Sequence, residues 1–419
     1  MSTPQNTGPR DAPYGTGAHR AAGEALRGTG VTVREADPDD AVAGVMPSWV
    51  ALPESTEEVA ALMRVSASHD LAVVPAGGGT RLHWGAPPDR CDLLVDTCCL
   101  NAIPEHASGD LVVRAQAGVT MDALAEALAA EGQELALDVP VPGSTVGGTL
   151  ATAAAGPRRL RYGTARDLLI GITVVLADGT IARSGGKVVK NVAGYDLGKL
   201  FTGSYGTLGI ITEAVFRLHP VSPARRWITA DLPADPGAVA AALAASQAEP
   251  SAVELDWLAP SPRFTVSALV EGAAVEDRAH AVRAVLGGDG GGKAPGWWGA
   301  PPGEVLLELR VPPSGVDGAL SAVAARGLPA RVRGALASAV LQIAPAVDIG
   351  GPEFAAFVSG LRGDVAPFGG RLTVLAAPPE LARLADRWGP VGALPLMRRV
   401  KERFDPGRRM SPGRLAGGI

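Results

Sequence analysis

Three glycine-rich stretches constrain this chain more than any other feature: PAGGGTRLHWG (75–85), VPGSTVGG (141–148) and GGKVVKNVAGYDLGKLFTGSYGTLG (185–209). The first follows a short apolar run, Leu71 to Val74, and sets Gly77, Gly78 and Gly79 side by side just after Pro75. Glycine tolerates positive φ and lets backbone come closer to a neighbour than any Cβ allows. Taken alone, PAGGGTRL is explained as well by a tight turn. Occurring three times on one scaffold, the pattern points to one extended ligand gripped mainly by backbone, such as a dinucleotide with a bulky ring.

The two familiar phosphate loops do not fit. A P-loop needs Gly, four residues, then Gly-Lys-Ser/Thr, and residues 77–85 lack that spacing. A Rossmann fingerprint needs Gly-x-Gly-x-x-Gly, but Leu82 stands where the third glycine belongs. What remains is a nest of consecutive backbone N–H groups facing an anion.

The surrounding pattern is mixed helix and strand. Ser55 to His69 predicts a helix with Ser55 and Glu58 as a capping box and Val59, Leu62 and Met63 as its apolar stripe. Leu71–Val74, Leu93–Val95 and Leu111–Ala117 predict strands, and Thr120–Glu131 a Thr-capped helix. Residues 138–163 read as a long loop with a short helix near Thr149–Ala155. Leu169–Leu176 and Thr180–Arg183 predict a hairpin around Asp178-Gly179, and Ile210–Leu218 a further strand. Pro220 and Pro223 mark a boundary. Beyond it, strands such as Trp227–Leu232, Ala252–Trp257, Thr265–Val270, Val305–Val311, Ala337–Ile343 and Arg371–Ala376 alternate with Ala-rich helices. The expected fold class is α+β, with a flexible leader (1–17), a ligand-binding domain (18–221) and a C-terminal α+β cap (222–419).

Composition narrows the function. A formal net charge of −5 argues against a basic nucleic-acid face. No run of about eighteen uncharged apolar residues exists, so no membrane span is expected. The stretch MSTPQNTGPRDAPYGTG lacks the apolar core of a secretory signal. Cys91, Cys98 and Cys99 fit neither a zinc site nor an iron–sulfur cluster, so no metal site is expected and any redox chemistry needs an organic cofactor. The expected compartment is the reducing cytoplasm, with any association with the inner membrane made through partners.

These motifs together resemble the PCMH-type FAD-binding domain of the vanillyl-alcohol-oxidase family of flavoproteins. The likeness is greatest to its branch of D-lactate dehydrogenases and glycolate oxidase FAD-binding subunits. The resemblance runs through residues 45–220, and the tail DPGRRMSPGR adds a weaker match. It implies a two-subdomain flavin domain followed by the cap. It also implies that Pro75, Gly77, Gly78, Gly79 and Thr80 cradle the FAD diphosphate, with Arg81 and Leu82 beside it. Pro142, Gly143, Ser144, Thr145, Gly147, Gly148 and Thr152 would form the second wall. Arg161, Tyr162 and Gly163 match the turn that follows. Gly206, Gly209, Ile210 and Ile211 match a segment near the adenine. The implied reaction is oxidation of a 2-hydroxy acid of the glycolate or D-lactate type, with hydride transfer to FAD and electrons passed on. A catalytic FAD homologue and an iron–sulfur subunit are the implied partners.

Covalent relatives carry the flavin on a His directly after the paired glycines, and here that position is Gly79, so FAD is expected to be held without a covalent link. His83 reads as a surface or packing side chain. None of the six histidines lies beyond His280, so the cap lacks the imidazole base and metal ligands that catalytic relatives use. Two alternatives therefore stay open: a non-catalytic FAD subunit for electron transfer or assembly, and a stand-alone FAD oxidase of another alcohol. Lys190, Asn191 and Tyr195 are the weak catalytic candidates, with capping and turn support as the plainer role. Arg158 and Arg159 read as a solvated basic turn, and Glu304–Arg310 and the basic helix LMRRVKERF as solvated faces. Trp297 and Trp298 suggest a partner surface.

Overall fold

The Ser55 hydroxyl accepts a hydrogen bond from the Glu58 amide at 3.1 Å and opens the helix Thr56–Ser68. The other half of the expected capping box closes one residue earlier, because Glu58 Oε2 accepts from the Glu54 amide at 2.7 Å. In this computed structural model, which describes residues 16–139, 141–186, 195–346 and 348–419, the helix is a crossover. It carries the chain from the strand Trp49–Leu52 to the strand Val73–Ala76, and both run parallel to Leu93–Asp96, which lies between them. An antiparallel strand, Thr32–Glu35, completes this four-stranded sheet. Pro75 falls inside the strand Val73–Ala76. That strand is at the sheet's edge, where a missing N–H costs no ladder bond.

A second, five-stranded sheet is antiparallel throughout, in the order Glu105–Ala107, Val112–Gln116, Ile210–Arg217, Leu169–Val175, Ile181–Gly185. The expected hairpin forms its last two strands. The short helix expected near Thr149–Ala155 starts earlier, at Val146, since Thr145 Oγ1 caps it by accepting from Gly148 N at 3.3 Å. The first glycine loop thus leaves the edge of one sheet, and the second opens a helix lying on the other.

The remaining strands form one eight-stranded antiparallel sheet in the order Asp289–Gly291, Arg225–Leu232, Phe264–Glu271, Ala252–Ala259, Ala330–Ala335, Val340–Pro345, Leu306–Arg310, Arg371–Ala376. Side chains alternate between its faces. Leu307, Leu309, Leu341, Ile343, Leu372 and Val374 point to one face and pack under the helices Pro236–Ala244, Val275–Leu286, Val316–Ala325 and Gly351–Val365. Glu308, Arg310, Gln342, Arg371 and Thr373 fall on the other, which faces the unit built on the first two sheets. The fold is α+β, as the sequence pattern implies.

Two charged segments, and one residue of a third whose other charges are exposed, differ from their expected solvated setting. Arg158 is buried and binds Glu134 (2.9 Å), Asp138 (2.8 Å) and Glu271 (3.5 Å). Arg225 adds contacts to Glu134 (2.9 Å) and Glu271 (2.8 Å), so this cluster stitches the cap sheet to the first unit. In the helix Leu394–Phe404, Lys401 is buried and donates to the carbonyls of Thr207 and Met410, each at 2.7 Å. The chain's last segment therefore lies on the first unit: Val73 N donates to Arg409 O at 2.8 Å, and Ser411 N to Val73 O at 2.9 Å. Finally, Leu306–Arg310 is a strand of the cap sheet, with Glu308 and the exposed Arg310 on its cleft side.

Candidate functional site

The two glycine loops press directly on one another. A Cβ at Gly77 would lie 2.2 Å from Thr145 Oγ1, and one at Gly78 would lie 1.9 Å from the carbonyl oxygen of Gly143. Their lack of a side chain is thus fixed by the opposite loop. Gly79 differs: it has φ +69° and open space around its missing Cβ, which is the left-handed step that turns successive amides the same way. Gly206 is needed for a third approach, since its Cβ would meet Pro75 Cγ at 2.7 Å.

Between these loops is a cavity. Pro75, Gly77, Gly78, Gly79, Thr80, Arg81 and Leu82 form one wall. Thr145, Gly147, Gly148 and Thr152 form the second, and Gly206, Gly209 and Ile211 the third. Pro142, Gly143 and Ser144 stand behind the second wall; Ser144 Oγ donates to Val141 O at 2.6 Å and accepts from Arg81 Nη1 at 3.0 Å. Ile210 is in the core behind the third wall. Arg161, Tyr162 and Gly163 lie outside the walls: Arg161 is 3.8 Å from Glu249, and Tyr162 packs edge-on to His219. Tyr195 is 96% exposed, and Lys190 and Asn191 lie outside the described residues.

Several lining residues are absent from the sequence-based set. Thr97, Ala117, Ala151, Ser204, Tyr205 and Arg414 all face the cavity. Tyr205 stands inside the quoted GSYGTLG run, and its φ of +54° marks a strained position that sequence does not reveal. Arg414 belongs to the tail; it donates from Nη2 to Leu82 O (2.8 Å) and Trp84 O (2.7 Å), holding the first glycine loop in place.

The polar inventory of the cavity suits a diphosphate and its ribitol. Ser204 Oγ is buried without a hydrogen-bond partner among the described residues, and Arg81 Nε and Arg414 Nη1 are likewise unpaired. Burial lowers the Arg414 guanidinium to about 10, so it stays cationic at neutral pH. Backbone amides, hydroxyls and two cations converge on one space, and no lysine is required.

The cavity opens at Arg81, Thr80, Thr152 and Tyr205 into a wider cleft under the cap sheet. Gly85 N donates to Leu375 O at 3.1 Å and ties the end of the glycine loop to the cap. Arg310 and Arg371 sit directly opposite one another on neighbouring strands of the cleft wall, and Arg159 lines it from the first unit. Like charges facing across strands are unfavourable unless compensated, and Glu308 pairs with Arg310 at 2.7 Å. His83, expected as a bystander, lines this cleft. Burial, then the charges of Arg81, Arg387 and Arg414, hold its imidazole below the usual value. These influences favour the neutral imidazole over the protonated one. Trp298 packs edge-on to Trp227 of the cap sheet.

Comparison with known proteins gives this geometry a context. Residues 47–185 match a family model described as an FAD binding domain. The glycolate oxidase subunit GlcD of Bacillus subtilis is 38% identical over 186 residues, which cover 44% of this chain and 40% of that protein. The mitochondrial D-lactate dehydrogenase (cytochrome) 1 of Saccharomyces cerevisiae is 35% identical over 214 residues, covering 50% of this chain and 36% of that protein. The matched chain thus spans 40% or less of the length of these relatives. A solved structure of alkyldihydroxyacetonephosphate synthase superposes with a TM-score of 0.65 at 19% identity, over 88% of this chain and 77% of that one, which is a likeness of fold. Among the described residues, no helix is long and apolar enough to cross a membrane.

Proposed function

We propose that this chain, whose residues 47–185 match the FAD binding domain model, is an FAD-dependent oxidoreductase of 2-hydroxy acids. The observation that carries the reading is the joining of two spaces: a backbone-lined cavity opens into an arginine-walled cleft. The glycine loops would hold FAD without a covalent link, since Gly79 stands where covalent relatives carry His. Residues 18–221 would form the cofactor domain, 222–419 the cap, and the last segment would lie back on the cofactor domain.

Bound FAD would supply the acceptor for a hydride from the carbinol carbon. The chain's own part is to bind and orient the acid and to move its proton. Arg159, Arg310 and Arg371 give the cleft a cationic wall suited to a carboxylate. His83, its neutral form favoured, is the imidazole at the cleft that can take the hydroxyl proton. Burial raises the Tyr205 phenol, so it remains a donor. Electrons would leave to a partner, of which a catalytic FAD homologue and an iron–sulfur subunit are the candidates.

One observation favours a second reading, that of a non-catalytic FAD subunit: the cap's one histidine, His280, is on the helix Val275–Leu286 and does not line the cleft. Anaerobic mixing of the FAD-loaded chain with glycolate or D-lactate tests the first reading. Bleaching of the flavin absorbance is expected for an enzyme of these acids; an unchanged spectrum with both removes that reading and leaves the non-catalytic subunit and an oxidase of another alcohol.

A further inference from the structure

Three guanidiniums from distant parts of the chain gather beside Tyr205, and among the described residues no carboxylate pairs with any of them. Arg81 comes from the first glycine loop, Arg387 from the segment after the cap's last strand, and Arg414 from the tail. They are 8%, 8% and 3% exposed. Each keeps a buried N–H without an acceptor: Nε of Arg81, Nη1 of Arg387 and Nη1 of Arg414. The three act together on His83, and Arg387 and Arg414 act on one another, so they share one region. Trp388, next to Arg387, packs edge-on to Tyr205 with ring centres 5.8 Å apart, and its Nε1 is also buried and unpaired.

Such a group is expensive for a fold to keep. A buried cation without a counter-charge is strongly unfavourable, and structures normally pair or remove it. Here Arg81 and Trp388 line the cleft and Arg81 and Arg414 the cavity, each with an unpaired N–H, Tyr205 lines both, and Arg387 adjoins Trp388 in the chain. Guanidinium forks match the geometry of carboxylate and phosphate oxygens, which would supply both the acceptors and the charge. Tyr205 also holds a left-handed backbone, with φ +54°, of the kind that persists where function requires it.

We propose that Arg81, Arg387, Arg414 and Tyr205 form a receptor for one oxyanion, a carboxylate or a phosphate, at the junction of cavity and cleft. The inference rests on the flavin reading only for the source of that oxyanion. A substrate's carboxylate would arrive through the cleft, where Arg81, Tyr205 and Trp388 face it. A cofactor phosphate would lie on the cavity side, where Arg81, Tyr205 and Arg414 face it.

The test uses the full chain, with and without FAD, titrated with oxalate and with pyrophosphate by calorimetry and thermal unfolding. Oxalate is a carboxylate with no hydrogen to give up, so binding is read without turnover. Expected is oxalate binding to the FAD-loaded protein, weakened at least tenfold in Arg387→Met and partly restored in Arg387→Lys. Arg387→Met should also raise the unfolding midpoint of the anion-free protein, because it removes an unpaired buried charge. Pyrophosphate binding in competition with FAD, again weakened in Arg387→Met, would support the receptor and assign it to the cofactor. The proposal is overturned if neither anion binds, if Arg387→Met binds them as the parent does, or if it lowers the anion-free midpoint. A chain that never takes up FAD refutes the flavin reading, while the anion titrations of that same protein still decide the receptor.

Discussion

The carbonyl oxygen of Gly143 stands where a side chain at Gly78 would have to be, 1.9 Å from the position of its Cβ. The two loops that wall the cavity are therefore set by each other as much as by any ligand. Gly78→Ala must push the loops apart or distort them. An overpacked contact of this kind costs about 1–3 kcal/mol, and the walls lose their register. The expected outcome is a folded protein with a slightly lower unfolding midpoint and little retained FAD. Full flavin content in Gly78→Ala would show that the loop contact does not shape the site.

The tail should be as important as the loops. Lys401 binds Thr207 O, Met410 O and the buried Asp405 carboxylate, the last at 2.8 Å. Removing the cation from such a pair leaves a buried charge and costs roughly 3–5 kcal/mol. Lys401→Met should lower stability by that order in denaturant titrations. It should also expose the tail to protease and weaken FAD retention, since Arg414 loses its anchor. Unchanged stability would mean that the tail is not held through Lys401.

Glu254 gives a pH test with a definite sign. Burial pushes its carboxyl from 4.5 up to about 8, and its Oε1 has no hydrogen-bond partner among the described residues. The folded chain then holds a proton that the unfolded chain releases. The resulting stability is full below pH 4.5 and is lost as pH rises through about 8. The stability difference between parent and Glu254→Gln should accordingly shift in favour of the variant across that window and level off above it. A difference independent of pH would show that Glu254 ionises normally in the fold.

Much of the site is legible in the sequence because its glycines are local requirements: each marks a place where backbone meets backbone. Ser55 and Thr120 are likewise read correctly as helix caps, since a cap acts over three residues. What escapes notice depends on distant partners. Arg158 looks like a solvated turn until Glu134, Asp138 and Glu271 are brought around it. Glu308 and Arg310 look like a charged surface, yet sheet alternation places them in the cleft. The strand Ala330–Ala335 does not stand out in the sequence because its polar face carries Arg331 and Arg333, which pair with Asp256 across the sheet. Arg414 reaches Leu82 across 332 positions of sequence, and no local pattern announces that contact.

The central claim is that the facing glycine loops hold FAD without a covalent bond. It is tested most directly by saturating the purified chain with FAD, removing the excess, and denaturing in acid. Expected is one equivalent of FAD per chain, all of it in the supernatant. A chain that takes up no FAD would contradict the claim outright, and flavin that stays on the precipitated protein would contradict the role given to Gly79.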